Sequence, residues 1–117
     1  MNQDQFDTAV GEAMDSLPEW VHESLDNIEV QVVDEPGEDL DPDDQGLLGL
    51  YLGVPINERG SDYVAELPDI IYIFRRPHLE LGLAPDALRE EIARTLIHEI
   101  AHYFGIDDDH LERIGWG

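Results

Sequence analysis

Between Asp4 and Leu17 the apolar residues Phe6, Val10, Ala13, Met14 and Leu17 recur every three or four positions, which predicts an amphipathic helix ended before Pro18. Pro18 followed by Glu19, Trp20, Val21 and Leu25 suits the first turn of a second, short helix, with Trp20 expected in the core. The period then changes to two. Ile28, Val30 and Val32 alternate with Glu29 and Gln31, as in a half-buried strand ending near Val33. The segment DEPGEDLDPDDQG that follows predicts a long, solvated acidic loop; its carboxylates cluster as in calcium sites, but the Gly and closing Glu of an EF-hand are missing.

Further along, apolar positions become continuous. GLLGLYLG, from Gly46 to Gly53, reads as a strand whose glycines admit a close neighbour. Ile70 to Phe74, between Pro68 and Pro77, is a β-branched and aromatic run suited to the centre of a sheet. From Pro85 to Phe104 the helical period returns through Leu88, Ile92, Leu96 (or Thr95) and Ile100, with acids in the first turn and Gly105 at the end. IDDDHLERIGWG allows a last short helix carrying Leu111 and Ile114 toward the core, and no internal repeat is present.

Composition adds limits. A chain of 117 residues with 42% hydrophobic content predicts one domain, residues 1–117, with one core. The absence of Cys removes thiolate chemistry, disulfides and Cys-based zinc sites, leaving His, Asp and Glu to hold any metal. With 28 acidic residues against six basic ones, all Arg, the net charge of −22 repels phosphate backbones and anionic lipid. Neither a nucleic-acid nor a membrane partner is expected. No basic and apolar leader and no long apolar run is seen, so a cytoplasmic location is expected, with a monomer as the simplest state. Because the acids are scattered and Lys is missing altogether, the charge reads as adaptation to concentrated salt rather than as a face for one basic partner.

The long helix contains the pattern that carries chemistry. His98-Glu99-Ile100-Ala101-His102 is an H-E-x-x-H arrangement, in which residues four apart share one helix face, so both imidazoles can reach one ion. Two neutral imidazoles and a third protein ligand suit a catalytic Zn²⁺ that keeps one position for water. Gly105 can end the helix in the left-handed conformation and turn the chain back, and Asp108 then stands where the longer zincin motif has a third His. Asp107, Asp109 and His110 are adjacent alternatives for that ligand. Glu99, about 100° round the helix from His98, is positioned as a general base for water rather than as a ligand. The bland alternative is a polar stripe on a surface helix; Gly105 and Asp108 at the right spacing weigh against it. Among the other histidines, His22 reads as a surface residue, His78 as a capped loop residue or proton donor, and His110 as a group able to polarise a carbonyl. Tyr63, Tyr72 and Tyr103 are candidate oxyanion donors that more often serve in packing.

ELPDIIYIFRRPHLE, LREEIARTLIHEIAHYFGIDDDHLERIGW, LLGLYLGVP and the Leu17-Pro18 pair together resemble the small zincin-like metallopeptidases of bacteria and archaea, over nearly the whole chain. The resemblance implies a compact α+β zincin fold in which a small mixed sheet packs on the helix bearing the motif. It also implies one Zn²⁺ at His98, His102 and Asp108, with Glu99 catalytic and a peptide or protein as substrate. Met1 and Met14 both precede the motif, so the Met-turn of the larger metzincins is missing and their substrate rules do not transfer. In zincins a substrate lies along an edge strand, for which LLGLYLG is the candidate. Two other readings remain at this level: a metal-binding regulatory module without turnover, and a ribonuclease of the H-G-x-x-H-x-x-G-x-D-H type. The second would need Gly at Glu99 and His at Asp108, and the charge opposes RNA.

Overall fold

The β-branched run between the two prolines becomes the middle of a sheet. The computed structural model describes residues 1–60 and 68–113, the side chains of Asp108, Leu111 and Glu112 excepted. Strand β3 (Asp69–Phe74) pairs in parallel with β1 (Ile28–Val33) and antiparallel with β2 (Gly49–Leu52), giving a small mixed sheet of order β1-β3-β2. Val30 and Tyr51 both lie opposite Ile71, which aligns them on one face of the pleat. That face receives α5 (Pro85–Tyr103), whose Leu88, Ile92, Leu96 and Ile100 pack with Ile71 and Ile73. The preceding helix α1 (Gln3–Asp15) adds Phe6, Ala9, Val10 and Ala13 to the same core, and its start is fixed by a capping box between Asn2 and Gln5. Burying each large apolar side chain contributes about 1.5–3 kcal/mol, so this shared core sets the orientation of α5 on the sheet.

Three features depart from the expectations. Trp20 is 63% exposed, beside Phe104 rather than in the core. Helix α2 (Glu19–Ser24) has six residues and buries Val21, and so short a helix cannot also turn the neighbouring position inward. The acidic loop holds a single helical turn, α3 (Gly37–Leu40). Arg75–Leu79 forms a helix, α4, where a turn was expected; Pro77 sits in its first turn, where a missing N–H costs no helical bond. Arg75 anchors α4 by a bidentate pair with Asp7 of α1 at 2.9 and 3.0 Å and a second bond to Asp34 after β1 at 2.8 Å. The last helix, α6, spans Asp108–Arg113; the core contacts expected of Leu111 and Ile114 lie outside the described residues. Among the described residues no helix is long and apolar enough to cross a membrane.

Candidate metal centre

One turn separates His98 from His102 near the end of α5, and their rings meet edge to face, 4.7 Å between centroids at 76°. Glu99 is 6% exposed, and its Oε1 lies 3.2 Å from His102 Nδ1. With the proton on Nδ1 donated to Glu99, His102 carries its lone pair on Nε2, the form in which an imidazole ligates a metal. One ligating atom from each of His98, Glu99 and His102 lies within 4.8 Å of the others. Imidazole nitrogen is a zinc ligand, and rotations of the two histidine side chains would bring both rings onto one tetrahedral ion, with the Glu99 carboxylate beside it rather than bound to it. The chemistry of the donor set therefore fits a divalent ion.

The turn after α5 follows from Gly105. Its φ of +84° lies in the left-handed region. Its N–H donates to the His102 carbonyl at 2.9 Å while that of Ile106 donates to Ala101 at 2.9 Å, a Schellman ending that satisfies the last carbonyls. The Asn57 side chain, from a 3₁₀ turn at Ile56–Glu58, occupies the space a Cβ on Gly105 would need. The reversed chain enters α6 at Asp108, whose side chain, and hence its expected role as third ligand, lies outside the described residues. Of the alternatives, Asp107 caps α6, its Oδ1 accepting the His110 N–H at 2.8 Å, and Asp109 and His110 are exposed.

Strand β2 walls the site. A Cβ on Gly49 would lie 2.7 Å from Thr95 Cγ2, 2.9 Å from the Tyr72 carbonyl oxygen and 3.3 Å from Glu99 Cγ, so only glycine lets the strand approach α5 this closely. A cavity of about 450 Å³ opens between residues 45–49 and the α5 side chains Glu91, Arg94, Thr95, His98 and Glu99. Its far wall is shaped by Asp41, buried within the acidic loop, whose carboxylate accepts the N–H groups of Gln45, Gly46 and Leu47 at 2.9, 3.2 and 3.4 Å. At this residue the loop is not solvated as expected; backbone donors satisfy the charge.

The remaining expectations divide. His78 is fully buried on α4, its Nδ1–H donating to the Phe74 carbonyl at 2.7 Å and its Nε2 accepting from the Thr95 hydroxyl at 2.9 Å, with Phe6 against its ring. Burial pushes its pKa below the ordinary value, opposed by the Phe74 carbonyl and the Glu91 charge. It braces the back of Thr95 and has no face on the cavity. His22 is exposed on α2, as expected. Tyr103 turns into the core, where its hydroxyl bonds the backbone of Asp26, and Tyr72 lies on the sheet face away from α5, stacked on Phe74. Tyr63 lies outside the described residues.

Sequence reasoning missed Thr95 as a cavity residue, Asp41, and a buried cluster beyond β2. There Asp69 accepts from the Tyr51 hydroxyl at 2.5 Å and from Arg59 at 2.7 Å. Burial first, then the Asp69 carboxylate, raises the Tyr51 pKa and keeps the phenol protonated. A β-branched polar residue at a core position of α5 was a signal for Thr95; one Asp within an acidic run carries no signal of its own.

A family model described as zincin-like metallopeptidase matches residues 25–116, which hold the sheet, α5 and every candidate ligand. The chain belongs to this family. Membership makes it a zinc metallopeptidase at family level and agrees with the α+β arrangement of helices and a small mixed sheet. A search of functionally curated proteins finds no match to this zincin-like chain.

Proposed function

We propose that this chain hydrolyses peptide bonds with one zinc ion held by His98, His102 and Asp108, and with Glu99 as general base. The observation that carries the reading is the Glu99 carboxylate: buried, 3.2 Å from His102 Nδ1, and on the wall of a cavity of about 450 Å³. When bound, zinc supplies Lewis acidity to the scissile carbonyl and lowers the pKa of water. Glu99 takes the proton of the attacking water and returns it to the departing amine. Its contact with His102 orients the carboxylate, and the close approach of β2 at Gly49 places the strand against the Glu99 side chain. Among the described residues β2 is an edge strand, and its outward main-chain groups can pair with an extended peptide beside α5.

The test measures metal content and peptide cleavage together. Purified protein is expected to take up one zinc per chain and to cleave unfolded protein or a peptide library, while the metal-free form does not. Glu99→Gln should retain the zinc and lose about two to four orders of magnitude in kcat, the range for general acid–base catalysis. A chain unable to bind zinc sinks the metal assignment. Full activity in Glu99→Gln removes that residue from the chemistry, and a zinc-loaded protein that cleaves nothing favours a binding module.

A further inference from the structure

We propose that Arg94 selects peptides that carry a carboxylate one or two residues from the scissile bond, on the side toward the N-terminal half of α5. The proposal rests on the peptidase reading of the same site and deepens it by naming a substrate class.

Arginine is scarce here and otherwise engaged. Arg59 pairs with Asp69, Arg75 with Asp7 and Asp34, Arg76 with Glu35, and Arg89 with Asp86. Among the described residues Arg94 and Arg113 make no ion pair, although the chain has 28 acidic residues. Arg113 is exposed at the end of α6. Arg94 is exposed one turn before His98, on the same face of α5, and lines the cavity with Thr95, His98 and Glu99. It also borders a second groove of about 540 Å³ lined by Leu83, Ala87, Ala93 and Ile97, with Glu90 and Glu91 at its edge. The arginine thus stands between the cavity beside His98 and Glu99 and a more apolar groove.

A guanidinium presents a planar fork of donors that matches a carboxylate in bidentate fashion. One helical turn advances about 5.4 Å and an extended peptide about 3.3 Å per residue, which sets the spacing of one or two residues from the metal ligands. The carboxylate can come from an Asp or Glu side chain or from a free C-terminus. Glu91 and Glu99 line the same cavity, so the competing class of ligand is a cationic peptide.

Zinc-loaded Glu99→Gln protein, which binds without turnover, is titrated with fluorescent peptides of one sequence. One set moves an Asp or its Asn counterpart through each position, another compares a C-terminal carboxylate with its amide, and a third carries Lys. At one position, or at the C-terminus, the carboxylate form is expected to bind about tenfold tighter, the worth of one charge-assisted hydrogen bond. Adding Arg94→Ala should bring that ratio near one and Arg94→Lys should retain part of it, with zinc content and melting temperature as in the parent. Which set responds identifies side chain or C-terminus as the source. Equal binding, tighter binding of Lys peptides, or a preference that survives Arg94→Ala, as direct attraction to the metal would produce, overturns the proposal. Wild-type protein is then tested on the tightest peptide. Arg94-dependent binding without cleavage refutes the peptidase reading alone, and cleavage without Arg94-dependent preference refutes this inference alone.

Discussion

His78 is sealed between Phe6, Phe74 and Thr95, and its neutral ring couples folding to pH. Its folded pKa lies below the ordinary 6.5, so below pH 6.5 the unfolded chain binds a proton that the native one refuses. Stability from this group is complete above pH 6.5 and is lost as pH falls toward the folded value, by up to about 1.4 kcal/mol per pH unit. Urea midpoints of metal-free protein should therefore fall from pH 7 to 5.5. His78→Gln should start about 2 kcal/mol lower, since it leaves a cavity and disturbs two buried hydrogen bonds, and should vary less with pH. An equal slope in both proteins would assign the dependence to other groups. The residue's placement was not legible in advance, because a His beside Arg-Arg-Pro has the same local chemistry whether it caps a loop or faces a core.

Among the elements, α5 was legible from end to end, because nineteen residues offer several turns of period and a Gly stop. Helix α4 was not, since five residues show no period, and Pro77 reads as a breaker unless its first-turn position is known. The end of α5 also decides where α6 begins. Gly105→Ala places a Cβ in a left-handed residue, costing about 1–2 kcal/mol, and displaces Asn57. We expect a lower melting temperature and, because the path to Asp108 shifts, weaker zinc binding in a chelator competition. Lower stability with unchanged zinc affinity would detach the turn from the metal centre.

For the whole molecule, the net charge of −22 is a cost that salt can relieve. Screening shortens from about 10 Å at 0.1 M to about 3 Å at 1 M, so repulsion among acids spread over the surface should largely vanish. The melting temperature should rise steeply from low to molar NaCl, and a midpoint indifferent to salt would reject adaptation to a saline interior. Two of the six arginines make buried or part-buried tertiary bonds. Arg75 joins α1, α4 and the end of β1, and Arg59 joins Asp69 to the loop after β2. No sequence pattern reveals such pairs, since their partners are up to 68 residues apart.

The sequence by itself determined the features set by local geometry. The shared face of His98 and His102, the neighbouring Glu99, the stop at Gly105 and the three strands all follow from periods and turn residues within one element. Tertiary structure decided what depends on two elements meeting: Gly49 against Thr95 and Glu99, Arg75 on Asp7, His78 behind Thr95, and Trp20 left outside. Packing α5 on the sheet chooses among positions that look alike along the chain, because close approach and burial arise only when distant segments share one volume.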